Sequence, residues 1–400
     1  MSIYSWIDRQ NEKICLRITH QFIAVGNSLP KNAYKKVMLL LYRKRLFLVL
    51  LSLFSLKRST WKNFFKIFFA TNYSKNYFPG IERKTTRLTE FWWTLLGFNY
   101  FVPDNLYPLL SEEQILSSNK LNFQNSKEPK VSIIIPVYNH LAFTYNCLKS
   151  IKNNFSNAID FEIILIDDLS NDGTHEYFKS RATGIRYIKN ERNLGFLLSC
   201  NKAVIEAKGE FVYLLNNDTQ IQQKAIESLI QTLENNQSIG CVGSKLIYPN
   251  GLLQEAGGVI FTDASTLNFG NLDLPKLVKY NIQKETDYCS GASLMFRKKD
   301  FKDLGMFDER YIPAYYEDTD FCLAIKNQLK KKVIYDPQSV VIHFESISTG
   351  KEAKEGNIKN FMLINRGKFK EKWKNVLPIY REKQQYQKIK NLFKERPQQD

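Results

Sequence analysis

Carboxylates in this chain gather at the ends of short apolar runs, where they can meet a ligand as well as solvent. Asp167-Asp168-Leu169-Ser170-Asn171-Asp172-Gly173 follows the run Glu162–Ile166 and could accept hydrogen bonds from a base N–H and a ribose hydroxyl. Asn216-Asn217-Asp218 follows Phe211–Leu215, and a strand-end carboxylate with amides beside it suits a divalent ion that also grips phosphates. Glu317-Asp318 opens a helical pattern that runs to Lys330, and a carboxylate within reach of a hydroxyl can take its proton as the oxygen attacks. His343 follows the apolar run Val340–Ile342. Each group also has a plainer reading. An acidic turn taken alone is usually a solvated loop or a helix cap, Glu317, Asp318 and Asp320 suit the positive end of a helix dipole, and a lone strand-end histidine is usually structural. Several such groups converging on one sheet edge are harder to dismiss.

The elements that must position them alternate. Val131–Ile135, Glu162–Ile166, Ile185–Ile188, Phe211–Leu215 and Ile239–Ile247 read as short, β-branched strands, and Leu141–Asn153, Thr174–Lys179, Leu194–Ala207 and Gln222–Glu234 as helices between them. Strands joined by helical crossovers predict an α/β fold with a mostly parallel sheet covered on both faces. In such a sheet ligands sit beyond the carboxyl ends of the strands, where the acidic groups fall. The first strand is followed by Pro136-Val137-Tyr138-Asn139, without the glycines of a dinucleotide fold, and no GxxxxGK[ST] occurs anywhere.

Six segments in order resemble the family 2 glycosyltransferases of GT-A fold, across roughly residues 130–350. They are VSIIIPVYNH, EIILIDDLSNDGT, ERNLGFLLSCNKAVIEAKGEFVYLLNNDT, SGASLMFRK, MFDERYIPAYYEDTDFC and VVIHFES. The resemblance implies an inverting transfer of sugar from a nucleotide diphosphate donor, such as a UDP- or dTDP-sugar, to a glycan or lipid-linked acceptor in bacterial surface-polysaccharide biosynthesis. Carried over by position, it implies that Pro136 and Tyr138 line the nucleotide pocket, that one or both of Asp167 and Asp168 hold base and ribose, and that Asn193, Gly195 and Asn217 complete the donor site. Asp218 would bind Mn²⁺ or Mg²⁺ with His343 as an additional ligand. Asp318 would be the catalytic base and Glu317 its support. The family's metal motif has aspartate at its first and third positions, and the first is Asn216 here. That departure keeps a catalytically inactive scaffold as an alternative. A nucleotidyltransferase is the other, although its glycine-rich basic loop is missing.

The formal charge of +17 is unevenly spread. Lys and Arg exceed Asp and Glu by 11 in residues 1–125 and by 8 in 351–400, whereas 126–350 carry a net −2. A near-neutral centre with acidic strand ends would repel a phosphate backbone, which argues against nucleic acid as partner. These shifts divide the chain into a basic, mainly helical N-terminal region (1–125), a GT-A domain (126–350) and a basic C-terminal extension (351–400) that begins helical. Val37–Leu56 is apolar but cut by Arg43, Lys44 and Arg45, leaving Leu46–Leu56, too short to cross a bilayer core of about 30 Å. It reads either as a helix lying on an anionic membrane or as one packed on the main domain. Six scattered cysteines without metal-site spacing, and a charged N-terminus unlike a secretory signal, point to a cytoplasmic protein at or near the inner membrane face.

Overall fold

The computed structural model describes residues 106–118, 120–124, 126–156, 158–249, 251–344 and 355–383. The apolar segment Val37–Leu56 lies outside the described residues, and among those described no helix is long and apolar enough to cross a membrane.

Ten strands form one sheet: β1 (Val131–Val137), β2 (Phe161–Asp167), β3 (Arg186–Lys189), β4 (Phe211–Leu215), β5 (Thr219–Ile221), β6 (Ile239–Ile247), β7 (Leu253–Glu255), β8 (Lys284–Glu285), β9 (Ser293–Arg297) and β10 (Lys332–His343). Their order is β8-β10-β6-β9-β4-β1-β2-β3, with β5 on β10 and β7 on β6. The expected parallel pairings hold across β4-β1-β2-β3, while β9 enters antiparallel between β4 and β6. The main helices are α1 (Leu141–Asn154), α2 (Thr174–Arg181), α3 (Gly195–Glu206), α4 (Ala225–Asn235), α5 (Glu317–Asn327) and α6 (Glu355–Lys372).

Strand residues alternate between two cores, because successive side chains leave opposite faces of a pleated sheet. Ile133, Ile135, Ile163, Leu165, Tyr213 and Leu215 meet Leu148 and Ile151 of α1 and Leu229 of α4 on one face. Ile134, Ile164, Ile166, Val212 and Leu214 meet Cys200 and Val204 of α3 and Phe321 of α5 on the other. Both faces are therefore dry, which is why β1 is buried along its whole length and is apolar apart from Ser132. The fold is the α/β arrangement that the alternating pattern predicts. The five described cysteines are buried and unbridged.

The chain reverses its direction of travel across the sheet between β1 and β4, since β2 and β3 lie to one side of β1 and β4 to the other. A crevice opens at such a switch point. Pro136 suits the strand edge at that point. Val137 accepts a hydrogen bond from Asp168 N on the β2 side, so the preceding residue faces β4, whose pairing with β1 has already ended at Ile134. The N–H that proline lacks is not needed there. Residues 106–118 and 120–124 pack on this body as well. Ile115 is fully buried, Tyr107 N donates to Gln220 Oε1, and Leu121–Asn122 pairs with Ala182–Thr183.

Candidate functional site

Pairing of β5 with β10 brings Asp218 and His343 together. His343 lies opposite Thr219, and Phe344 N donates to Asp218 O at 3.0 Å. Asp218 is 2% exposed, and its buried Oδ1 has no hydrogen-bond partner. Nε2 of His343 stands 3.3 Å from that oxygen, and Nδ1 is 3.1 Å from Gln254 Oε1. With the Gln254 carbonyl accepting from Nδ1, a neutral ring turns its Nε2 lone pair toward a carboxylate oxygen. Two acceptors then face each other, a contact relieved by a proton on the ring or by a cation between them. Neighbouring ligands on an octahedral ion with bonds of about 2.1 Å lie about 3 Å apart, so the pair fits a small divalent cation. Among the described residues no group of three His, Cys, Asp or Glu side chains could hold an ion alone. The rest of its coordination would come from substrate oxygens, water or amides.

Asn216 N donates to Ala292 O at 3.0 Å, and its Oδ1 is buried without a hydrogen-bond partner. Asn217 turns toward α1, donating to Thr144 Oγ1 at 3.0 Å.

Tyr138 is exposed just past the carboxyl end of β1. The next two residues, Asn139 and His140, take left-handed backbone (φ 58° and 61°) and start α1. That turn is laced to the one after β2. Asn139 N donates to Ser170 Oγ (2.7 Å), Asn171 N to Asn139 Oδ1 (2.8 Å) and Leu141 N to Asp172 Oδ2 (3.0 Å). Asp167 is fully buried and accepts from Ser170 N (2.8 Å) and from the Tyr187 hydroxyl. Asp168 accepts from Asn190 Nδ2, Leu194 N and Gly195 N at 2.7–2.9 Å, and so organises the start of α3. Gly195 adopts φ +78°, and a Cβ there would stand 3.2 Å from Pro313 O. Asn193, exposed beside it, accepts from the same Gly195 N at 3.2 Å.

Glu317 and Asp318 open α5 after two left-handed tyrosines, Tyr315 (φ 75°) and Tyr316 (φ 78°). Asp318 is half-buried, and its Oδ2 accepts from Gly291 N (2.9 Å) and its Oδ1 from Thr319 N (2.6 Å). Loss of solvation raises its carboxyl above the ordinary value although one edge stays open, and those N–H groups oppose the rise. Glu317 is 6% exposed, and its Oε2 has no hydrogen-bond partner. Burial first, and the neighbouring Asp318 charge second, push it up to about 8.

The turn Ser290–Ala292 joins the halves of the site, since Ala292 O holds Asn216 and Gly291 N holds Asp318. The spacing of SGAS gave no sign of this link. Nor did it mark Gln254, whose partner His343 lies 89 residues away.

One consequence concerns stability. A carboxyl whose folded pKa of about 8 exceeds its ordinary 4.5 binds its proton more tightly in the folded state. Stability from that proton is complete below about 4.5 and falls as pH rises through about 8, by up to ~1.4 kcal/mol per pH unit. Glu317→Gln lacks this loss. In urea unfolding without metal, its stability relative to wild type is expected to rise from pH 5 to pH 8.5. A difference independent of pH would show that Glu317 does not titrate in this way.

The family model described as Glycosyl transferase family 2 matches residues 132–305. The resemblance seen in the motifs is borne out over that stretch, which includes Asp218 and ends before Glu317, Asp318 and His343. The chain is 28% identical to an uncharacterized protein of Sinorhizobium fredii, over 56% of this chain and 25% of that protein. It is also 28% identical to an uncharacterized glycosyltransferase of Methanocaldococcus jannaschii, over 52% of this chain and 68% of that one. It thus spans a quarter of the length of the first of these relatives. Among solved structures it is similar to GalNAc-T7 with UDP, GalNAc and Mn²⁺, at 17% identity and a TM-score of 0.47, covering 60% of this chain and 48% of that one.

Proposed function

We propose that this chain, which carries a family 2 glycosyltransferase domain over residues 132–305, transfers a sugar from a nucleotide diphosphate donor to a glycan or lipid-linked acceptor with inversion at the anomeric carbon. The observation that carries the reading is chemical. Asn216 Oδ1, Asp218 Oδ1 and Glu317 Oε2 are buried side-chain oxygens without hydrogen-bond partners, on segments that meet at the turn 290–292. Buried polar atoms are normally satisfied, so unsatisfied oxygens in one region suit a ligand that brings cations and donors.

In this reading the donor base and ribose lie over Tyr138 and the turn 167–172, with Pro136, Asn193, Gly195 and Asn217 shaping the loops around them. The diphosphate reaches Asp218 and His343. Asp218 and His343 would hold a divalent ion there, and such an ion would supply the positive charge that lets the nucleotide diphosphate leave without a proton. Asp318 takes the acceptor hydroxyl proton while the oxygen bonds to the anomeric carbon and the bond from that carbon to the diphosphate breaks. Glu317, largely protonated at neutral pH, offers a neutral O–H beside it. Residues 126–350 would form the catalytic domain and 1–125 the region that brings it to the inner membrane face, supported by an excess of 11 positive charges.

The test is a panel of UDP-, dTDP- and GDP-sugars incubated with the protein and Mn²⁺ or Mg²⁺, beside nucleotide triphosphates with sugar 1-phosphates. Release of nucleoside diphosphate from a nucleotide sugar is expected. Pyrophosphate release from a triphosphate would mark a nucleotidyltransferase instead, and turnover of neither, with donor still bound, an inactive scaffold.

A further inference from the structure

We propose that α6 belongs to the catalytic apparatus and that Asn365 is a positioning residue for the turn presenting Asp318. This rests on the reading of Asp318 as the base. By sequence, 351–400 is a basic extension, yet α6 grips the Glu317–Asp318 turn from both sides. Ahead of the pair, Asn365 is 1% exposed, and its Nδ2 donates to the carbonyls of Tyr311 (2.7 Å), Ala314 (2.8 Å) and Tyr315 (3.1 Å). Behind it, Asp320 accepts from Lys372 Nζ (2.6 Å), from Trp373 Nε1 (2.7 Å) just past the helix, and from the Tyr311 hydroxyl (2.8 Å). Arg366 adds a third tie, donating to Asp263 O and Oδ2, next to Ala264, whose carbonyl accepts from Tyr316 OH.

These contacts fall where the backbone needs them. Tyr315 and Tyr316 carry side chains yet hold left-handed backbone, a conformation that persists only when its surroundings enforce it. The carbonyls that Asn365 ties down belong to Tyr315 itself and to the segment running into it. Were they released, the turn could relax and swing Asp318, whose only tie to the rest of the site among the described hydrogen bonds is Gly291 N. None of these α6 contacts is to Asp318. The helix therefore acts on where the base stands and not on its chemistry.

The experiment uses the full chain. Asn365→Asp keeps the shape and removes the N–H donors, and Trp373→Phe removes the donor at the other end of the grip while keeping a ring. Each is measured for turnover of the donor found in the panel, for donor affinity with Mn²⁺ by calorimetry, and for turnover again in an Asp318→Asn background. Misplacing a catalytic group by about 1 Å can cost about 10²-fold. We expect turnover per folded molecule to fall about 10- to 10²-fold, donor affinity to change by less than about twofold, and the further loss in the Asp318→Asn background to shrink to less than about threefold, because groups acting as a unit are not additive. Should Asn365→Asp fail to fold, Trp373→Phe carries the same three readouts. A lowered melting temperature with unchanged turnover, or full additivity with Asp318→Asn, would overturn the proposal. If Asp318→Asn itself matched wild type, the base reading would fall and the role of α6 with it. An unchanged Asn365→Asp beside an inactive Asp318→Asn would reject the α6 role alone.

Discussion

Asp318→Asn is expected to lower turnover by on the order of 10²–10⁴ from loss of the base, and to leave donor affinity changed by much less than tenfold. Adjacent residues at the start of a helix point about 100° apart, so Glu317 and Asp318 cannot serve one atom in the same way. The structure separates them further. Asp318 is half-buried, with each carboxylate oxygen oriented by a backbone N–H. Glu317 is nearly closed off and pushed up to about 8, so near neutral pH it holds a proton and cannot accept another. Asp318 is raised too, which moves the acid limb of its pH–rate profile upward from the ordinary carboxylate range, with activity lost as pH falls through it. Nucleoside diphosphate release gives turnover, and calorimetry gives donor affinity separately. Near wild-type transfer by Asp318→Asn beside an inactive Glu317→Gln would exchange the two roles.

The second large effect is expected at Asp218. Metal assistance at a departing diphosphate is worth several kcal/mol, so Asp218→Asn should cost on the order of 10²–10³ in turnover and weaken metal-dependent donor binding as well. Excess chelator should do the same to wild type. The geometry adds a signature independent of activity. In the apo protein Asp218 Oδ1 and His343 Nε2 stand 3.3 Å apart, two acceptors in contact when the neutral ring carries its proton on Nδ1, toward Gln254 Oε1. An amide at 218 can present an N–H to that nitrogen. The apo melting temperature of Asp218→Asn should therefore not fall below wild type, while the upward shift that Mn²⁺ with nucleoside diphosphate gives wild type should disappear. Full activity in chelator would remove the metal from the mechanism.

Much of this site was legible because it lies at strand ends. Largely apolar, β-branched runs marked β1, β2, β4 and β6, and the acidic turns after β2 and β4 are where a parallel sheet places its ligands. Strand order was not legible. The insertion of β9 between β4 and β6 depends on pairing Ser293–Arg297 with Phe211–Leu215, which no local pattern encodes. It also decides the site, since the turn ahead of β9 links Asn216 to Asp318.

Side-chain roles were hidden for a different reason. Asp168 looks ligand-ready in sequence, yet its oxygens already hold Asn190, Leu194 and Gly195, supplied by the segment Asn190–Gly195 some 22 to 27 residues later. Asp320 reads as a helix-dipole carboxylate and turns out to anchor Lys372 and Trp373. In both cases the partner is a donor far along the chain with no periodic relation to the acceptor. The pairing of Asp218 with His343 was suggested by resemblance alone, and its physical basis is the three-residue register of β5 on β10.

The most direct measurement is the anomeric configuration of the transferred sugar, read by NMR at early times with the donor identified in the panel and Mn²⁺ present. Single displacement with Asp318 as base predicts first-formed product of configuration opposite to the donor, and no covalent glycosyl-enzyme in the mass spectrum of the protein. Product that keeps the donor's configuration, or a sugar adduct on a side chain, would contradict it.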